Sequence, residues 1–190
     1  DIYGPGEFDL AGTIVGIVDE DKVINGAGTE KGDVLLGFKS SGLHTNGYSL
    51  ARNVLFTEYD VNDYVEELGS TVAEELLQVH RSYLGLITEL KGMDGVHGFS
   101  HITGGGMVGN TKRILPEGLA LDINWDGWER PAVYKLIQEI GNVPEEDMQA
   151  TFNLGIGLVC VVSADKVAAV KAKAESLGEE VFEVGGVIKN

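Results

Sequence analysis

The order of elements along this chain predicts an α+β domain, with helices packed on a mixed sheet. Three observations carry that expectation. Short apolar runs bounded by turn residues recur at 34–38, 119–125, 154–162 and 181–188. Between them lie segments whose apolar residues return every three or four positions, as on one face of a helix. Of the 190 residues, 43% are hydrophobic and 23% charged, a composition able to bury a core.

Residues 1–9 are rich in turn formers (Gly4, Pro5, Gly6). The run LAGTIVGIV, 10–18, reads as a strand closed by Asp19, Glu20 and Asp21. Val23 and Ile24 suggest a short strand before the Asn25-Gly26 turn, and Lys31-Gly32-Asp33 turns into the strand 34–38. Residues 48–56 read as a helix. The clearest helix is 71–90, where Val72, Leu76, Val79, Tyr83, Leu86 and Leu90 form one seam and Ser70 offers an N-cap. His80 lies beside that seam and reads as a packed or half-exposed helix histidine. Residues 99–102 form a short strand, and 107–115 a helix stopped before Pro116. Residues 119–125 alternate as a strand. Trp125 and Trp128, around Asp126-Gly127, read as a turn with core anchors. A helix starts at Pro131 and stops at Gly141. Glu145, Glu146 and Asp147 make an acidic first turn of another helix. The apolar run 154–162 is a strand, Ser163 caps a helix over 164–177, Gly178 follows it, and 181–188 is the last strand.

The net charge is −16, from 14 Lys and Arg against 30 Asp and Glu. That balance argues against nucleic acid and against an anionic membrane surface as partners. No run approaches the ~18 apolar residues of a membrane helix. The one cysteine, Cys160, has no internal disulfide partner, which fits a reduced, cytoplasmic setting. There is no basic-then-apolar leader, and the chain opens on Asp1, so it is expected to be a piece of a longer protein.

Three motifs could carry chemistry. In KSSGLHTNGYSL, 39–50, a strand gives way to small and hydrogen-bonding residues (Ser40, Ser41, Gly42, His44, Thr45, Asn46) and then to a helix start. Backbone N–H groups at such a junction favour an anion. The ending Lys-Ser/Thr of a P-loop is absent, so a Walker nucleotide site is not indicated. SHITGGGM, 100–107, repeats the pattern, with His101 able to titrate near neutral pH and Thr103, Gly104 and Gly105 at the turn. In TFNLGIGL, 151–158, Asn153 precedes Gly155 and Gly157. Those glycines either leave a backbone face open for another group or let a helix pack closely. A phosphate ester would be held mainly by N–H groups and hydroxyls, with Lys39, Arg52, Lys112 and Arg113 as nearby cations. The four histidines and single cysteine are scattered, and no carboxylates repeat at ligand spacing, so no metal site is expected.

KSSGLHTNGYSLARNVL, SHITGGGMVGNTKRILPEGL and TFNLGIGLV, in that order, resemble the phosphoribosylformylglycinamidine cyclo-ligase (aminoimidazole ribonucleotide synthetase) family. The resemblance covers essentially the whole chain, from GEFDLAG to the closing VGGVI. It implies that 21–190 is the C-terminal domain and that 1–20 is a lead-in from the end of an N-terminal, ATP-binding half. The implied fold is a three-layer α/β/α domain, partly ferredoxin-like. The implied activity is ATP-dependent ring closure in de novo purine biosynthesis, with release of ADP and phosphate. Mg²⁺ and ATP would be held mostly by the N-terminal half. The implied partners are the ribonucleotide substrate, the N-terminal half and a second copy in a homodimer.

Carried onto this sequence, Ser40, Ser41, Gly42, His44, Thr45, Asn46, Thr103, Gly104, Gly105 and Asn153 would line the substrate and phosphate region. His101 would orient or protonate the leaving oxygen. Two departures touch peripheral contacts: Ala150 stands where related sequences usually have Arg, and Gly109-Asn110 where many have Glu-Asn. By this reading the segment alone is inactive. The other function class left open is a non-catalytic domain that binds a phosphate, a nucleotide or a partner.

Overall fold

A computed structural model of the chain describes residues 4, 6, 8 and 10–190. Its central strand, β1 (Val34–Lys39), carries Leu35, Leu36 and Phe38, all fully buried. Successive side chains of a strand point to opposite faces, so this sheet must be covered on both. The elements that follow are α1 (Tyr48–Leu55), a small hairpin of β2 (Tyr64–Val65) and β3 (Ser70–Thr71), α2 (Val72–Leu76), α3 (Leu84–Leu90) and β4 (Val96–His101). Then come α4 (Gly106–Thr111), β5 (Leu119–Ile123), α5 (Ala132–Gly141), α6 (Glu145–Thr151), β6 (Ile156–Val162), α7 (Val167–Ser176) and β7 (Val181–Lys189).

One face of the sheet presents Leu35, Val159, Val161 and Val184 to Ala51, Leu55, Met107, Ile137 and Met148 from α1, α4, α5 and α6. The other presents Leu36, Phe38, Leu158, Cys160 and Val162 to Leu86, Leu90, Val170 and Ala174 from α3 and α7. These are the three layers of an α/β/α domain, as expected. The strand order is β4-β6-β1-β7-β5. Strands β1, β4, β6 and β7 stand in the order of a ferredoxin-like β-α-β-β-α-β unit, with β5 added at one edge.

The sheet is antiparallel at every pairing, which corrects the mixed sheet expected from alternating strands and helices. The physical reason lies in the crossovers. β1 and β4 run the same way, but β6 is inserted between them and pairs antiparallel with each.

The expected helix over 71–90 is two short helices. Its seam is divided between the two cores: Val72 and Leu76 lie on one face of the sheet, Tyr83, Leu86 and Leu90 on the other. Residues 77–83 cross between the faces, and Val79, expected inside, is 86% exposed. Tertiary bonds hold the crossing: Ser41 Oγ donates to Val79 O at 2.6 Å, Arg81 Nη1 to Lys39 O at 3.1 Å and Tyr83 Oη to Lys39 O at 2.6 Å. Thr71, rather than Ser70, caps α2, in a capping box with Glu74.

No strand forms over 10–18 or at Val23 and Ile24. Ile14, Val15 and Ile17 are almost fully exposed. A strand needs a neighbouring strand to satisfy its backbone, and these residues join neither sheet. The turn expected over 1–9 falls largely outside the described residues. Among the described residues no helix is long and apolar enough to cross a membrane.

Candidate functional site

The first loop, 40–47, leaves β1 and enters α1 through Gly47 in the left-handed region, φ 80°. Its shape is set from beneath by Asn153, which is 4% exposed. Asn153 Oδ1 accepts from Ser40 Oγ (2.9 Å), Tyr134 Oη (2.8 Å) and the Gly155 N–H (2.8 Å), while its Nδ2 donates to Gly42 O (3.1 Å). Tyr134 Oη also lies 2.9 Å from Gly42 O. A buried amide bonded four times in this way acts as a fastener for the loop. Ser41 Oγ is bound to Val79 O. Thr45 and Asn46 have fewer ties: Asn46 Nδ2 reaches Thr45 Oγ1 at 3.4 Å.

The second loop follows β4. Gly105, at φ 99°, is the cap of α4, and its N–H donates to Ala150 O at 3.0 Å. At Gly106 a Cβ would sit 1.7 Å from Gln149 O, and φ is 63°, so only glycine fits. Asn110 is the fastener here: its Nδ2 lies 3.1, 3.3 and 2.8 Å from the carbonyls of Thr103, Gly104 and Gly106, and its Oδ1 accepts from Thr103 Oγ1 at 2.9 Å. The two loops touch. Asn46 Oδ1 would be 3.2 Å from a Cβ on Gly104.

Three histidines far apart in sequence meet at this junction. His44 has a positive φ of 58° and is 4% exposed. Its Nε2 accepts from the Ser41 N–H at 3.0 Å, which places its proton on Nδ1. Burial first, then the neighbouring His80, His101 and Arg81, pushes its pKa down to about 4, so the ring is neutral at neutral pH. Gly157 on β6 makes the room: a Cβ there would lie 2.5 Å from His44 Cε1 and 2.2 Å from Tyr83 Oη. Thus Gly157 accommodates side chains of this chain, and its neighbour Gly155, at φ 101°, makes the turn into β6. His44 stacks on His80 with ring centroids 3.9 Å apart and planes at 15°. His80 Nε2 in turn lies 3.1 Å from His101 Nε2. Partial burial, and next His80, holds His101 below its ordinary value.

The structure therefore brings together the first loop (Ser40, Ser41, Gly42, His44, Thr45, Asn46) and the second (His101, Thr103, Gly104, Gly105), with Asn153 turned inward beneath the first. The expected cations are not gathered over them. Lys39 is ion-paired with Glu180, and Arg52 lines an open groove along α1 with Ser49, Asn53, Phe56 and Thr57. Sequence reasoning missed His80, because its spacing matched a continuous helix, and missed Asn110 as the clamp of the second loop. An exposed Val79 inside an apolar seam leaves no mark in the sequence. Histidines scattered along the chain proved to be gathered in space.

The model of the family described as AIR synthase related protein, C-terminal domain, matches residues 30–190. The chain is 44% identical over 190 residues to the phosphoribosylformylglycinamidine cyclo-ligase of Alkaliphilus oremlandii, across 99% of this chain and 56% of that protein. It is 47% identical to the protein of the same name from Symbiobacterium thermophilum, across 98% of this chain and 54% of that one. The chain thus spans about half the length of the curated relatives it matches. Among solved structures, thiamine-monophosphate kinase from Stenotrophomonas maltophilia K279a superimposes with a TM-score of 0.63 at 15% identity, over 91% of this chain and 52% of that one. PurL of T. maritima, complexed with AMPPCP, does so with a TM-score of 0.52 at 15% identity, over 90% of this chain and 24% of that one. At that identity the two structures share a fold with this chain.

Proposed function

The chain belongs to the AIR synthase related protein family, whose C-terminal domain it carries over residues 30–190, and on that footing we propose that it is the C-terminal half of an ATP-dependent phosphoribosylformylglycinamidine cyclo-ligase. In that reaction the γ-phosphoryl group of ATP passes to the formamide oxygen of formylglycinamidine ribonucleotide. An amidine nitrogen attacks the activated carbon, phosphate leaves with that oxygen, and a proton is released. The products are aminoimidazole ribonucleotide, ADP and phosphate. A cytoplasmic homodimer belongs to the same proposal, as does a lead-in role for residues 1–20 against an N-terminal half. The exposure of Ile14, Val15 and Ile17 supports that role: they form an apolar stretch with strand-like composition and no strand of its own.

The observation that carries the reading is the contact of two glycine-bearing loops beside β6. Thr45 and Asn46 on one side and the backbone of Gly104 and Gly105 on the other face a common junction. Thr45, Asn46 and the Gly104 N–H would hold the ribonucleotide phosphate as neutral donors, with Gly105, whose own N–H is bonded to Ala150 O, shaping the turn beside them. His101, held below its ordinary pKa and so a neutral ring, would meet the formamide oxygen and orient it by donating a hydrogen bond.

Mg²⁺ does not fit these residues. Their side chains are hydroxyls, amides and imidazoles, whereas Mg²⁺ takes hard oxygen ligands and carboxylates. The proposal places Mg²⁺ and ATP on the N-terminal half and takes no step of this chain through the metal.

Calorimetric titration of the chain tests the reading. Formylglycinamidine ribonucleotide should bind weakly and ATP scarcely at all; ATP binding as strong as that of the ribonucleotide would overturn it. In an enzyme completed with the N-terminal half, His101→Ala should cut turnover about 10²-fold or more, and unchanged kinetics would remove His101 from the chemistry.

A further inference from the structure

His80 has no role in the reading above, yet it is the middle member of the histidine cluster. It sits on the crossing segment 77–83, where Val79, Arg81 and Tyr83 are each bonded to the first loop or to the end of β1. One face of its ring lies on the buried ring of His44, and its Nε2 meets His101 Nε2 at 3.1 Å. Two imidazole nitrogens at that distance must share a proton, one as donor and the other as acceptor.

We propose that His80 is a positioning residue for His101: clamped by its stack on His44, it donates from Nε2–H to His101 Nε2 and so fixes the His101 ring with its own proton on Nδ1. Partial burial and the neighbouring His80 disfavour a charge on His101, which leaves its ring one unprotonated nitrogen; in this proposal that nitrogen is Nε2, the one facing His80 at 3.1 Å. The other titratable groups facing the pair are His44, held neutral by burial, Tyr83 at 6.2 Å from His101, and Arg81, whose charge reaches His44. The proton that His101 can give is then the one on Nδ1, and the one it can take is shared with His80.

A metal ion is the obvious competitor, because nitrogens of all three rings lie within 4.8 Å of one another. A bound metal lies in the plane of each imidazole, ~2.0–2.1 Å from its nitrogen. The planes of His44 and His80 are nearly parallel, with centroids 3.9 Å apart, so no point near both nitrogens lies in both planes. With His44 Nε2 taken by the Ser41 N–H, a metal would have to displace the proton from Nδ1, the ring's unpartnered nitrogen. The stacked rings therefore favour proton sharing between His80 and His101 over a metal shared by all three.

This inference rests on the assignment of His101 to the reaction, and two measurements separate them. Long-range ¹⁵N–¹H spectra of the chain at neutral pH should show His101 as the Nδ1–H tautomer. His80→Phe keeps the stack and loses the donor; His101 should then leave that tautomer, and its pKa should rise toward ~6.5. His80→Gln, whose amide N–H can still donate, should restore the wild-type tautomer. A wild-type Nε2–H tautomer, an unchanged His101 in His80→Phe, or a one-to-one zinc complex of the three rings would each overturn the proposal. In the enzyme completed with its N-terminal half, the pH profile of kcat should move in His80→Phe by the shift seen in the spectra, with KM unchanged. If the spectra respond and the profile does not, the role of His101 fails and the positioning by His80 stands.

Discussion

The two glycine-bearing loops flank the same strand, β6, and each leads from a neighbouring strand into a helix, yet they are fastened in opposite ways. The first is tied by Asn153, more than a hundred residues away in sequence, and it sinks His44 beneath the surface. The second is tied by Asn110, four to seven residues away on its own helix, and it leaves His101 exposed. A loop clamped by a distant residue holds its shape only when the whole domain is folded. A loop clamped by its own helix depends less on distant contacts, here the Gly105 N–H to Ala150 O bond and the packing of Gly106 on Gln149. The first loop therefore supplies a fixed wall, and the second presents the His101 imidazole at the surface.

The largest effect should come from Asn153→Ala, which strips partners from Ser40, Gly42 and the buried Gly155 N–H. We expect a loss of about 4 kcal/mol in global stability by urea unfolding. A loss no larger than that of Asn110→Ala would erase the contrast between the loops. Next is acid. The folded chain holds His44 near 4, against an unfolded value of ~6.5, so the unfolded chain binds the extra proton between those limits. Stability is full above ~pH 6.5, falls as pH drops, and levels off below about 4, by ~3 kcal/mol in all. His44→Gln should remove that share of the acid sensitivity between pH 7 and 4.5; an identical pH dependence in the two chains would mean that His44 titrates normally. Asn110→Ala should cost about 2 kcal/mol, felt first as faster amide exchange in 103–111. Global unfolding with no local loosening would show that the second loop is not locally tied. The smallest effect is Asn46→Ala: a stability change within about 0.5 kcal/mol, but weaker ribonucleotide binding by calorimetry. An unaltered Kd would take Asn46 out of the site.

What could be read from sequence follows the same division. The strands of the five-stranded sheet and most helices stood at the expected places, because apolar period and caps are local signals. The residues of both loops were marked by their composition, and the structure gathers them. The roles inside the loops were not legible. Asn153 reads as a ligand-facing amide, and only the packing of Tyr134 and Ser40 around it shows that it points inward. His80 reads as helical because Leu76, Tyr83 and Leu90 keep one period although they belong to different cores. The antiparallel sheet was hidden because strand sense depends on which strand is inserted between which, and no local residue records it.

β1 is the first strand of the sheet to be made and the one at its centre. Leu36 pairs with Cys160 on one side and with Glu183 on the other. A chain leaving the ribosome exposes that apolar strand long before either neighbour exists, and loop closure over such separations is slow. Both β6 and β7 must be made before the sheet can close around it. Until then the strand is a segment for chaperones to shield, which makes the appearance of residues 156–189, carrying β6 and β7, the step that commits the domain to its fold.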